Sequence, residues 1–346
     1  MKFEYLIVGS GLAGLMLCET LRKRDISFKV ISNNSQKASI VASGLYNPVV
    51  LKRFNKAWNA QKQLPYAITV YNELEKFLKI KIDHKLPIFR VFNSIKEQNH
   101  WIVASDNVEL DSFLDPEIKY LDNSNIIAHH GYGKVNNTGR VDTKLLLNSY
   151  KKYLISRDLY VEESFDHKLL NISPQLSYKN ILANKIIFAD GFGLKKNPLF
   201  NYLPLQGTKG ELVIISAPEL NLNVILKSSI FIVPLGDNNY LVGSTYAWDD
   251  YSNLSTNKAK NEILEKLEKL ISCPYEVVYQ RAGIRPTVAD RRPLVGQHKS
   301  YKNLYLLNGL GSRGVLIAPS MAKELIEFIE EGITLSHEIN ISRFNS

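Results

Sequence analysis

Glu4-Tyr5-Leu6-Ile7-Val8-Gly9-Ser10-Gly11-Leu12-Ala13-Gly14 is the stretch on which the fold turns. The apolar run through Val8 reads as a buried strand, and the glycines after it open a helix from Leu12 to Lys23. Ala13, Met16, Leu17, Thr20 and Leu21 recur at helical spacing and would pack that helix on a sheet. Phe28-Lys29-Val30-Ile31 supplies a second strand, completing a β-α-β unit whose parallel strands require a right-handed crossover. In that setting the glycine string has a mechanism. Gly9 permits the tight turn, Gly11 lets a pyrophosphate approach the backbone, and Gly14 lets helix and strand pack closely. The N–H groups of the first helical turn, at Leu12 and Ala13, would meet the phosphates with the positive end of the helix dipole behind them. The expected ligand is a dinucleotide. The second strand of such a unit normally ends in Glu or Asp, which binds ribose hydroxyls. Here Ser32 and Asn33 stand at that place, able to bond a hydroxyl but without charge assistance.

The 346 residues suffice for two domains, and 45% hydrophobic against 22% charged is the mixture of a packed globular chain. No apolar run is long enough to cross a bilayer, so no membrane partner is expected, and the first residues lack signal-peptide character. Cys18 and Cys273 have neither metal-ligand spacing nor a disulfide framework. No metal is expected, and the default setting is a reducing, cytoplasmic one. Basic residues outnumber acidic ones 43 to 34, but they are scattered, and runs such as Arg22-Lys23-Arg24 are short. That distribution reads as diffuse solubility charge, with nucleic-acid contact as the less favoured alternative.

Farther along, residues 56–80 carry Leu64, Ile68, Tyr71, Leu74 and Leu78 on one helical face. Residues 88–92 read as a strand, and Asp142-Thr143 caps a helix through about Leu154. Residues 159–161 and 185–189 read as further strands, the second ending at Asp190-Gly191. Three strands punctuated by Pro and Gly-Asp-Asn fall between Gly210 and Thr245, a helix covers 257–271, and a last helix runs from about Pro319 to Glu331. The pattern is α/β at both ends with antiparallel β between. It predicts a discontinuous Rossmann-like dinucleotide-binding domain (residues 1–50, 130–205 and 275–346). An inserted α+β substrate domain, with a mostly antiparallel sheet, would take residues 51–129 and 206–274.

Asn308-Gly309-Leu310-Gly311-Ser312-Arg313-Gly314-Val315-Leu316-Ile317-Ala318-Pro319 selects among dinucleotides. Glycines there let backbone lie against a flat ring, and the following helix aims its N-terminal dipole at the edge where a reduced flavin gathers negative charge. Other landmarks are Ala42-Ser43-Gly44, Ala189-Asp190-Gly191-Phe192-Gly193 and Ile232-Val233-Pro234 before Val242-Gly243-Ser244-Thr245. They continue with Gly283-Ile284-Arg285-Pro286 and Arg292-Pro293-Leu294-Val295-Gly296. With these in order, nearly the whole chain resembles the D-amino-acid oxidase (DAO) superfamily of flavoproteins, in particular its glycine oxidase and sarcosine oxidase-like members. The resemblance implies FAD. It would place Ser39, Ala42 and Ser43 near the FAD phosphates and flavin, and Ala189, Asp190 and Gly191 beneath the adenosine half. Gly309, Gly311, Ser312, Arg313, Gly314 and Val315 would border the isoalloxazine. Relatives with covalent flavin use a cysteine in the C-terminal part; Cys273 is not at the matching place, so the FAD is expected to be non-covalent.

For the substrate, the resemblance makes Arg285 the carboxylate clamp, a planar two-pronged donor that stays charged when partly buried. An ion pair with Asp290 is the structural alternative. Arg281 and Arg313 are reserves for the same role. Tyr246 either fences the pocket and donates a hydrogen bond or is a core aromatic. Phe231 stands where some relatives carry a polar aromatic. No histidine shows triad or metal spacing, and all are read as surface or capping residues. The implied reaction oxidises a small-molecule amine or amino acid: hydride transfer from the α-carbon of the neutral amine to flavin N5, imine hydrolysis in water, and reoxidation by molecular oxygen. Two alternatives stay open. Leu310-Gly311-Ser312-Arg313-Gly314 is similar to the glycine loop in the oxidase half of the bifunctional tRNA wobble-uridine modification enzyme, which makes tRNA the alternative partner. A flavin-binding protein without turnover is the other, kept open by Ser32 and Phe231.

Overall fold

The computed structural model describes residues 2–33 and 35–344. In chain order its main elements begin with β1 (Lys2–Val8), α1 (Leu12–Lys23), β2 (Phe28–Ile31), α2 (Ala38–Val41), α3 (Ala60–Leu78) and β3 (Ile88–Val91). They continue with β4 (Leu114–Lys119), β5 (Tyr132–Val135), α4 (Thr143–Ser156), β6 (Tyr160–Val161), β7 (Ile181–Phe188) and β8 (Leu205–Ser216). The remainder are β9 (Ile225–Lys227), β10 (Phe231–Gly236), β11 (Asn239–Gly243), α5 (Asn257–Leu267), β12 (Glu276–Val288), β13 (Leu294–Gln297), β14 (Leu304–Asn308) and α6 (Gly314–Glu331).

The first sheet runs β6-β2-β1-β7-β14-β13, parallel from β6 to β14. Its register sets Val8 opposite both Ile31 and Phe188. The residues that follow those three strands, Gly9, Ser32 and Ala189, therefore emerge at one level along the carboxyl edge. Ligands bind at such edges in open α/β sheets. The second sheet runs β12-β8-β11-β10-β9-β3-β5-β4 and is antiparallel except for the β9–β3 pair. The expected α/β architecture with a large antiparallel sheet is present.

Several boundaries differ from the sequence reading. Four strands, not three, lie between Leu205 and Gly243, because the short β9 has too few residues to show alternation. β5 and β12 pair into the second sheet, although residues 130–205 and 275–346 were assigned to the dinucleotide-binding domain. α3, assigned to the substrate domain, packs on α6, which in turn packs on α1. Periodicity reports which face is apolar but not which neighbour covers it.

α6 begins at Gly314, ahead of Pro319, so the proline lies inside the helix. Proline lacks the N–H that would bond the carbonyl four residues back. That carbonyl belongs to Val315, and it accepts instead from the Tyr71 hydroxyl of α3 at 2.7 Å. Tyr71 is 1% exposed, so water cannot take its place. Tyr71→Phe is expected to destabilise the fold by about 1–3 kcal/mol, the range for an orphaned buried carbonyl, measured by urea denaturation. A change below about 0.5 kcal/mol would show that the carbonyl has another partner.

Candidate active site

A cavity of about 1120 Å³ follows the carboxyl edge of the first sheet and continues over the face of the second. Its first half is backbone chemistry. Gly9 has φ +107°, and a Cβ there would lie 2.3 Å from the Ala189 carbonyl oxygen. A Cβ on Gly14 would lie 2.0 Å from the Gly9 carbonyl oxygen. Side chains at either position would wedge β1, α1 and β7 apart. Gly11 is the N-cap of α1 and offers no side-chain cap, leaving first-turn N–H groups for an anion. Ser39 Oγ accepts from the Leu12 N–H at 3.1 Å and so marks an acceptor position at this terminus.

Gly9, Gly11, Leu12, Ala13, Ser32, Asn33, Ser39, Ala42, Ser43, Ala189, Asp190 and Gly191 all line the cavity. So do Gly311, Ser312, Arg313, Gly314 and Val315, with Gly314 packed beside Leu12. Gly14 is behind the wall, in the packing role expected of it. Gly309 is a correction. It does not line the cavity; it turns the chain at φ +70° after β14, against Val288 and Leu294. His167 is another: it lines the cavity rather than the surface, its Nε2 is buried without a partner among the described residues, and burial lowers its pKa. Its loop is drawn to this wall because the Asn33 side-chain amide donates to Ser164 Oγ at 2.7 Å, which also brings Glu163 to the end of β2. An acidic group thus reaches the ribose end from a segment remote in sequence.

Asp190 holds the strand ends together, accepting from Asn308 at 3.0 Å and Asn197 at 3.2 Å. Enclosure by the surrounding protein raises its pKa to about 7, against the lowering effect of those two donors. In the FAD-free protein the folded state therefore keeps this proton while the unfolded state has already lost it. The stabilisation is present below the ordinary carboxylate value of 3.8 and disappears as pH rises through about 7. Urea denaturation across that window should show stability falling with pH, and Asp190→Asn should flatten the fall. Parallel profiles for the two proteins would mean that Asp190 is ionised throughout.

The second half of the cavity is made by side chains. Gly283 of β12 faces Gly210 of β8, and Arg285, two residues along, is opposite Thr208. The Arg285 guanidinium lies across Gly210, where a Cβ would come 1.9 Å from Nη2. Nη2 donates to Ser244 Oγ at 2.8 Å, and the Tyr246 ring centroid is 4.6 Å from Cζ. Asp290 instead pairs with Arg343 at 3.0 Å, which removes the structural alternative for Arg285. Burial lowers the pKa of both Arg285 and Arg313, but a guanidinium remains charged. Arg313 Nη1 is buried with no partner among the described residues. Tyr246 lines the cavity and is 62% exposed, so it is not a core aromatic. Arg281 is off the wall and faces Arg140 and Asp142. Phe231 lines the cavity as expected, and beside it stands Lys227, which the sequence reading missed. A lone lysine closing a three-residue strand carries no pattern that could have singled it out.

These residues fit FAD. An uncapped helix N-terminus meets a glycine turn that would take the phosphates, hydroxyl and amide groups line the end of β2 where a ribose would lie, and a second glycine loop borders the cavity beside the start of α1. No cysteine is among the described lining residues, and no metal-holding cluster occurs among the described residues. The family described as DAO, FAD dependent oxidoreductase, matches residues 4–328.

The chain belongs to the DAO family. As a DAO protein it is an FAD-dependent oxidoreductase, as the resemblance implied. It is 27% identical over 192 residues to the tRNA 5-methylaminomethyl-2-thiouridine biosynthesis bifunctional protein MnmC of Idiomarina loihiensis, covering 50% of this chain and 31% of that protein. It is 26% identical over 132 residues to glycine oxidase of Geobacillus kaustophilus, covering 37% and 35%. The matches thus span about a third of those relatives' length. The DAO fold is shared with solved structures over nearly the full chain. Glycine oxidase from Geobacillus kaustophilus superposes with TM-score 0.80 at 18% identity, covering 99% of this chain and 98% of that one. Iminodiacetate oxidase from Chelativorans sp. BNC1 gives 0.78 at 17%, covering 97% and 98%. No described helix is long and apolar enough to cross a membrane.

Proposed function

We propose that this protein oxidises the C–N bond of an amino acid or a secondary amine that carries a carboxylate. The observation that supports this reading is the Arg285 guanidinium, fixed over Gly210 by Ser244 on the cavity wall with no carboxylate among the described residues to neutralise it. Such a fork binds a carboxylate through two parallel hydrogen bonds and thereby orients the adjoining α-carbon. Arg313 and Lys227 add positive charge at the same end, which disfavours the ammonium form of a bound amine and favours the neutral form that can release a hydride. Tyr246 covers the mouth and limits water entry. The bound, non-covalent FAD supplies the two-electron acceptor, with molecular oxygen as the final oxidant. The imine product hydrolyses in water. Relatives named glycine oxidase and iminodiacetate oxidase are consistent with a small carboxylated amine.

A second reading, oxidation of a carboxymethylaminomethyl group on a tRNA wobble uridine, is favoured by the rim. Tyr246 and Tyr251 line the cavity mouth, with Trp248 between them in the chain 57% exposed, and exposed aromatics stack on bases. The net charge of +9 and the likeness to MnmC point the same way. One experiment tests both. The holoenzyme is mixed anaerobically with free amino acids, with N-carboxymethyl amines, and with tRNA bearing the modified base, while the visible flavin band is followed. Bleaching by the free compounds supports the first reading, and bleaching by tRNA alone supports the second. Bleaching by none of them overturns both and leaves a flavin-binding protein without turnover.

A further inference from the structure

We propose that the substrate end of the cavity contains a second anion site, built on Lys227, and that the preferred substrate is an amine carrying two carboxylates. The inference rests on the amine-oxidation reading above and adds to it the identity of the second substituent.

Sheet register sets the geometry. Lys227 closes β9 opposite Phe231 of β10, and Phe231 is opposite Gly243 of β11. The Lys227 ammonium lies over the Phe231 ring, 4.6 Å from its centroid, and donates to the Ser228 carbonyl at 2.6 Å. An ammonium has three donors, so a ligand in the cavity can take others. The Arg285 guanidinium reaches across to Ser244, the residue after Gly243. The guanidinium thus lies over β8 and the end of β11, and the ammonium over the adjacent β10, about 5–10 Å apart given the spacing of strands in a sheet. Two carboxylates separated by about three to five atoms would span that interval.

Charge supports the same assignment. The charged groups facing Lys227 are Arg90 and Lys266, both cations, and Arg90 is already paired with Glu97 at 2.9 Å. No carboxylate pairs with Lys227 among the described residues. Burial beside these cations lowers its pKa to about 8, so the protein holds an ammonium out of water at a cost that a bound anion would offset. The acidic residues on the cavity wall, among those described, are Glu163 and Asp190, and both belong to the first-sheet side. Arg285, Arg313 and Lys227 therefore share the substrate end without a protein carboxylate. A single substrate carboxylate would leave that charge largely uncompensated.

The test titrates the holoenzyme with oxydiacetate, a dicarboxylate ether with no C–N bond to oxidise, and with methoxyacetate, its monocarboxylate counterpart. Binding is read from the flavin spectrum and by calorimetry. Oxydiacetate is expected to bind at least about tenfold more tightly, the equivalent of one charge-assisted hydrogen bond. Lys227→Met should remove that preference by weakening oxydiacetate binding about tenfold more than methoxyacetate binding, and Lys227→Arg should keep it. Equal affinities in the parent protein, or a preference that survives Lys227→Met, would overturn the proposal and leave Lys227 as packing against Phe231. If methoxyacetate binds and simple amino acids reduce the flavin, such a result sinks this inference alone. If neither acid binds and no amine reduces the flavin, the carboxylate role of Arg285 has failed and the second site falls with it.

Discussion

Arg285→Ala is expected to lower kcat/KM for carboxylate-bearing amines by roughly 30- to 5000-fold, corresponding to about 2–5 kcal/mol for truncating one side of a buried charge pair. The size follows from the surroundings. The guanidinium is buried, its neighbours are the Ser244 hydroxyl, the Thr245 carbonyl and the Tyr246 ring, and none of these can replace a fork that meets both carboxylate oxygens. Arg285→Lys should recover only part of the loss, because a point charge lacks that geometry. FAD content should not change, since the groups proposed to take the phosphates are backbone of the glycine turn at residues 9–14 and not this side chain. The measurement is affinity for a carboxylate inhibitor beside steady-state kinetics with amines that have and lack the group. A uniform loss across both classes of amine, or an unaltered inhibitor affinity, would assign Arg285 to structure.

Gly9→Ala should abolish retention of FAD, weakening its binding by about a hundredfold or more. A non-glycine residue at φ +107° costs on the order of 1–3 kcal/mol in backbone strain alone. The added Cβ would also sit 2.3 Å from the Ala189 carbonyl oxygen, backbone that cannot rotate away. Relief requires β1 and β7 to separate at the level where the phosphates bind. Gly11→Ala makes the informative comparison: its Cβ would approach the Ser39 hydroxyl at 3.2 Å, a side chain that can yield. The FAD-free Gly11 variant should therefore be the more stable of the two in thermal denaturation monitored by circular dichroism. A Gly9 variant that purifies yellow with full FAD content would show that the turn does not shape the cradle.

The amino-acid sequence by itself determined the cofactor half of this protein. The phosphate recognition expected there depends on backbone N–H groups, a helix dipole and glycines at fixed offsets, all carried by contiguous residues from Glu4 to Gly14, and the glycine loop expected beside the flavin is likewise contiguous, from Asn308 to Val315. Periodicity likewise located α1, most of α3 and the strand before Asp190. Only the tertiary structure decided the substrate half. Arg285, Gly210, Ser244, Phe231 and Lys227 lie on or beside strands whose order in the sheet differs from their order in the chain, and register alone brings them to one cavity face. Glu163 at the ribose end and Tyr71 beneath Val315 are decided in the same way. The physical reason is common to all of them. A side chain's chemistry is local, but the partner that gives it a task is chosen by which strands and helices bury each other's apolar faces, and no short stretch of sequence encodes that choice.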